Sequence, residues 1–71
     1  MPHYRLSREA VREAAKAKGD HTNRLISDRT GLHEVTLSNL LSGRRSPSLD
    51  AVMRVAKAYG VTADALLVQV A

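Results

Sequence analysis

Cysteine, phenylalanine and tryptophan are all missing from this chain, and tyrosine occurs only as Tyr4 and Tyr59. No thiol means no disulfide to brace the fold and no thiolate zinc site. With so few aromatic rings there is no platform for stacking unpaired bases, which sets aside single strands and RNA loops as partners. Apolar runs are short: none approaches the length of a membrane span, and residues 1–5 hold no signal-peptide hydrophobic region. A soluble, cytoplasmic protein with no membrane partner is the expectation. The groupings that carry catalysis are missing too. His3, His21 and His33 fall on separate segments without metal-ligand spacing, no nucleophile, base and orienting group form a set, and no glycine-rich loop cradles phosphate. Neither a metal, nor a cofactor, nor enzyme activity is expected.

Eleven Lys and Arg against seven Asp and Glu give a net charge of +4, which favours a polyanionic partner without naming one. The 71 residues make a single domain, near the lower size at which a hydrophobic core alone holds a fold. No alternating run of β-branched and aromatic residues occurs, whereas Ala-rich segments broken by Gly and capping residues recur. The expected fold is all-α, a compact five-helix bundle.

A first helix should start after Ser7, whose hydroxyl can cap it, and end near Gly19, with Ala10, Val11, Ala14 and Ala15 as its apolar face and Leu6 as a staple ahead of the cap. Thr22 caps a second helix running to about Thr30, and a third runs from about Glu34 to Leu41, closed by Gly43. Pro47 prevents that helix from continuing past the basic Arg44-Arg45 loop. Ser48 caps a fourth helix, with Val52, Met53, Val55, Ala56 and Tyr59 available for burial and Gly60 at its end. Thr62 caps a short fifth helix with Leu66 and Leu67 inside. Residues 66–70 are more apolar than one face of a short helix requires. Val68 or Val70 is then left exposed unless a second copy covers it or the end folds back on its own bundle, and a homodimer through the C-terminal helix and tail is the expectation.

The most informative stretch is 23–40. Ile26, Ser27, Gly31, Leu32, Leu37 and Leu40 have the spacing that two short helices need to cross tightly. Ser27 is small enough for close approach and Gly31 can take the left-handed conformation of a sharp turn. Such a pair presents the polar face of its second helix outward, the geometry that enters a DNA major groove.

Together with the stretches 42–49 (Ser-Gly-Arg-Arg-Ser-Pro-Ser-Leu) and 55–67 (Val-Ala-Lys-Ala-Tyr-Gly-Val-Thr-Ala-Asp-Ala-Leu-Leu), this block resembles the Cro and phage-repressor type of helix-turn-helix domain, lambda-repressor-like and of the XRE family. Three ordered blocks at the right separations are far more specific than a short helix-turn-helix pattern alone. The resemblance implies one domain over 1–71, a helix-turn-helix unit at about 22–42, and a transcriptional regulator that reads a double-stranded DNA operator with its third helix as a dimer. A repressor is the expected form. Two positions depart from the family pattern, His21 where a leucine is usual and Thr30 where another apolar residue is usual, so looser or wetter packing under the second helix is expected.

By the resemblance, Glu34, Val35, Ser38 and Asn39 fall at base-reading positions. Asn39 can make a bidentate contact to adenine, Glu34 can accept from a cytosine amino group, and Val35 can pack on a thymine methyl. Glu34 is equally accounted for by the dipole at a helix start, and Val35 by a partly buried staple. Arg44 and Arg45 can reach a phosphate backbone beside the groove. Asn23 resembles the family's phosphate-contacting polar residue at the start of the second helix, with Thr22 beside it. Arg24 can assist, or can pair with Asp28 at i,i+4. His33, Thr36 and Ser42 complete the expected phosphate contacts, although a helix-start contact also accounts for His33. Two other readings stand beside this one: an antitoxin-type autoregulator, and a protein-interaction module that keeps the fold without DNA binding.

Overall fold

Short polar side chains decide where the helices begin. The computed structural model describes residues 3–70, and within them run α1 (Arg8–Ala17), α2 (Asn23–Thr30), α3 (Glu34–Leu41), α4 (Leu49–Tyr59) and α5 (Ala63–Leu66). Ser7, Thr22, Ser48 and Thr62 stand in extended conformation ahead of α1, α2, α4 and α5, and each hydroxyl accepts from the amide three residues on at 3.1–3.2 Å. These bonds satisfy donors that the helix itself leaves unpaired. No helix is long and apolar enough to cross a membrane, among the described residues.

The helices are those the sequence leads one to expect, but residues 3–6 and 67–70 form strands. β1 (His3–Leu6) pairs antiparallel with β2 (Leu67–Val70), with His3 opposite Val70 and Leu6 opposite Leu67. Each strand is four residues long, too short for alternation to register along the sequence, and its ladder partner lies at the other end of the chain. Of the two readings of the tail this pairing favours the end folded back on its own chain: Leu67, Val68 and Val70 are half-buried in a strand paired with β1. Leu67 leaves the helix and opens β2 instead of lying inside α5. Leu6 is more than a staple. It is fully buried in the core, and the neighbouring Ser7 amide donates to the Leu66 carbonyl at 2.6 Å, joining the start of α1 to the end of α5.

The core gathers Leu6, Val11, Ala15, Ile26, Leu32, Leu37, Leu40, Leu41, Val55, Tyr59 and Leu66 with small alanines between them. Met53 is exposed, not buried as expected, and lies one turn from the exposed Leu49 on the outer face of α4. Between α2 and α3 the chain turns at Gly31, whose φ of +77° only glycine adopts without strain and whose added Cβ would stand 3.1 Å from Arg54 Nη1. The Ser27 hydroxyl donates to the Leu32 carbonyl across this turn. Thr30 corrects the expectation of loose, wet packing: it is buried, its hydroxyl donates to the Ile26 carbonyl at 2.8 Å and accepts from the Leu32 amide at 3.3 Å. A polar residue here is fully paired, which is why burial is tolerated.

Asp20, in the connection between α1 and α2, is the polar centre of the bundle. Its carboxylate is 8% exposed. Arg29 on α2 donates to it through Nε and, at 3.3 Å, through Nη2, and the Tyr59 hydroxyl on α4 donates to it at 2.8 Å. The Arg29 guanidinium also lies 5.9 Å from the centre of the Tyr59 ring, within cation–π range. The Arg29 hydrogen bond, working against burial, holds the Asp20 carboxyl below its ordinary value. Burial first, and then the Asp20 carboxylate, pushes the Tyr59 phenol up. A carboxyl favoured in its ionised form by folding contributes stability above its unfolded value, and that contribution disappears as pH falls through the lower folded value. Asp20→Asn should therefore lower the urea midpoint at pH 7. The gap to the wild type should narrow as pH falls below about 4, where the carboxyl of the unfolded chain takes up its proton, and close once the folded carboxyl is protonated too. Equal midpoints at pH 7 would mean that the carboxylate contributes nothing.

Candidate nucleic-acid interface

The eight residues of α3 divide by period. Leu37, Leu40 and Leu41 recur at i, i+3 and i+4 and are buried, so Leu41 joins the Leu37 and Leu40 of the helix-crossing pattern in the core. At roughly 100° per residue the opposite side carries Val35, Ser38, Asn39 and Ser42. Glu34, Val35 and Ser38 are exposed, Val35 at 62%, and Asn39 is half-buried. Three of the four expected base-reading residues, Val35, Ser38 and Asn39, therefore share one side, and Glu34 is exposed at the helix start but roughly 100° around the helix from Val35. Asn39 takes part in no side-chain hydrogen bond among the described residues, so its amide is uncommitted.

Glu34 sits in the first turn of α3, where a carboxylate suits the helix dipole. His33 is the cap of that helix: its Nδ1 accepts from the Val35 amide at 3.2 Å. With Nδ1 engaged at the cap, Nε2 is the ring nitrogen left free. The helix-start contact thus accounts for His33, and the phosphate contact assigned to it has only Nε2 left to make it. His33→Ser keeps an acceptor at the cap and should hold stability near that of the wild type, while His33→Ala should cost about 0.5–2 kcal/mol in a urea melt. If the two variants melt alike, the cap is not what His33 supplies.

The C-terminal end of α3 fixes the basic loop. Gly43 turns the backbone left-handed at φ +79°, its amide donates to the Leu40 carbonyl, and the Arg44 amide donates to the Asn39 carbonyl at 3.0 Å. This is the Schellman arrangement of a helix end. The Arg45 amide reaches the same Asn39 carbonyl at 3.3 Å, as does the Ser42 hydroxyl at 3.1 Å. The backbone of Asn39 therefore ties both arginines to the helix that carries its side chain. Ser42, expected on phosphate, spends its proton on this carbonyl and keeps only acceptor capacity, the wrong polarity for a phosphate oxygen unless the hydroxyl rotates. Arg44 and Arg45 are exposed, and neither forms an ion pair among the described residues.

Around α3 the remaining residues fall into two concavities. Thr36 lines one of them with Leu32, Leu40, Arg45, Pro47 and Asp50, on the side facing the basic loop. Ser38, Leu41 and Ser42 line the other with Asn23 of α2 and with Arg8 and Arg12 of α1. Asn23 and Arg12 also border a third hollow with Lys16, Asp20, His21 and Ile26. Thr22 accepts from the Leu25 amide as the cap of α2, and its hydroxyl proton stays available. Arg24 is exposed and does not pair with Asp28: the ion pairs among the described residues are Arg29–Asp20 and Arg54–Asp50. The i,i+4 alternative for Arg24 is thereby set aside. Arg8 and Arg12 escape a reading confined to the helix-turn-helix unit. Their i,i+4 spacing is visible along the chain, but that they share a hollow with Ser38 and Ser42 of α3 is not.

A helix-turn-helix family model matches residues 11–66. No curated protein and no solved structure matches the chain.

Proposed function

We propose, on the premise that this chain belongs to the Cro/C1-type helix-turn-helix family of DNA-binding transcription regulators, that it is a repressor that inserts α3 into the major groove of a double-stranded operator. The observation that carries the reading is the single exposed side of α3, where Val35, Ser38 and Asn39 stand together above an edge that leads into the Arg44-Arg45 loop. A neutral amide, a methyl-bearing side chain and a hydroxyl match the donors, acceptors and thymine methyl displayed in that groove. Arg44 and Arg45, with Asn23, Thr22 and Arg24 on α2, supply backbone contacts that set orientation and not sequence. Repression is steric, by occupation of the operator.

A homodimer belongs to this reading for a reason of information. One α3 offers few base contacts, and two related by a twofold axis read a palindrome with twice as many. The tail no longer argues for it, since Leu67–Val70 is taken up by β1.

Selection of binding sites from a random duplex pool at moderate salt tests all of this at once. The expected product is a palindrome with half-sites about one helical turn apart. Asn39→Ala should then relax preference at one base pair, at a cost on the order of 1–3 kcal/mol. A single half-site would remove the dimer. No enrichment by the folded chain would remove the operator-reading function and favour a protein-interaction module, for which the acidic Glu34 and the absence of Lys and Arg from α3 already speak. Capture of a toxin encoded beside the gene would favour the antitoxin reading.

A further inference from the structure

We infer that α1 is a second backbone-binding element: the face carrying Arg8, Arg12 and Lys16 holds phosphates of the strand that borders the groove entered by α3. The inference rests on the DNA-binding reading above and extends it to residues outside the helix-turn-helix unit. Arg8, Arg12 and Lys16 recur at i, i+4 and i+8, so they line one side of α1, and all are exposed. Glu9 and Glu13 lie within i+3 reach of Arg12 and Lys16, yet none of the three cations forms an ion pair among the described residues. Their charges are uncommitted.

The placement of these cations selects the occupant. Arg12 and Asn23 border both hollows on this flank, one continuing to Ser38 and Ser42 on α3 and the other to Lys16 and His21. Through these two shared residues the hollows follow one another along this flank, from Ser38 and Ser42 on α3 past the first residue of α2 to Lys16 on α1. The acidic group on the wall of these hollows is Asp20, and that carboxylate is already held by Arg29 and Tyr59. Lined by Arg8, Arg12 and Lys16 and adjoining the proposed reading surface at Ser38, this flank fits the sugar-phosphate chain of the same duplex. It also resolves a difficulty of that surface: α3 has no cation of its own, so the salt-dependent part of the affinity must come from its flanks.

The test is the salt dependence of binding to one fixed duplex, measured for the wild type, Arg8→Ala, Arg12→Ala, their combination, and Lys57→Ala as a control cation that is exposed on α4 and borders neither hollow. Far-UV circular dichroism checks that each variant is folded. Each single α1 replacement should flatten the slope of log K against log salt by about one unit and the combination by about two. The base preference recovered by selection should not change, Arg12→Lys should restore the slope, and Lys57→Ala should leave it alone. Wild-type slopes in Arg8→Ala and Arg12→Ala would overturn the inference and leave operator binding standing. Equal flattening in Lys57→Ala would overturn it too, reducing the effect to net charge. A wild-type chain that binds no duplex at low salt would overturn this inference and the reading it rests on together, and would make an acidic protein partner the alternative for this face.

Discussion

The Asp20 side chain is mostly withdrawn from water, and a carboxylate so placed has to be paired. Its partners come from two other elements, Arg29 near the end of α2 and Tyr59 at the end of α4. One polar centre therefore locks the α1–α2 connection, the far end of α2 and the last turn of α4 at once. Much else follows from where it puts α2. Ile26 is aimed into the core, Ser27 is brought to the Leu32 carbonyl, and Thr30 to the Leu32 amide, so the turn into α3 leaves in one direction only. Hydrophobic contacts alone tolerate small rotations of a helix about its axis, because they are not directional. Hydrogen bonds to a fixed carboxylate do not.

This matters because the helices are too short to stand unaided. α2 and α3 have eight residues each, below the length at which isolated helices persist in water. Their stability has to come from packing, from caps and from side-chain ties across turns. The chain supplies the caps cheaply, with single Ser, Thr and His side chains, and reserves its few large apolar residues for the centre. With no Phe or Trp, the core is filled by Leu, Val, Ile and Ala around Tyr59, the one buried aromatic among the described residues. Its ring fills space, and its hydroxyl serves the polar centre.

How much of this could be read from the sequence depends on range. Features that need only neighbours were legible: the caps at Ser7, Thr22, Ser48 and Thr62, the turn at Gly31, the stop at Gly43, the buried Leu37 and Leu40. Features that need a distant partner were not. β1 and β2 have no periodicity to speak of until each meets the other, so the sequence leaves the apolar tail open to a second copy or to an end folded back on its own bundle. Asp20 looks like a solvated loop residue, because Arg29 and Tyr59 become its partners only through the crossing of helices. Thr30 was read as a packing defect since a hydroxyl at an apolar position is costly unless paired, and the pairing is a property of the turn. The candidate interface divides along the same line. The outward side of α3 follows from period and family position, while the neighbourhood of α1 follows only from the bundle.

A division of labour between charge and sequence reading follows from the same geometry. In α3 itself the charged side chain is Glu34, which a phosphate chain repels and which a base amino group can attract. Cations sit on both flanks instead, in the loop at Arg44 and Arg45 and along α1. On the proposed reading, the attraction that brings the protein to any duplex and the contacts that choose one sequence are thus carried by different elements. Such a separation lets Val35, Ser38 or Asn39 be exchanged for another target without altering the electrostatic hold. Conversely, a change in the flanks alters affinity for every sequence alike. The Asn39 backbone carbonyl is where the two systems touch. It anchors the amides of Arg44 and Arg45 while the side chain of the same residue lies on the proposed reading side, so the loop's cations are set in register with that side through a single peptide unit. Because the main chain makes this link, replacement of the Asn39 side chain changes what is read without releasing the loop.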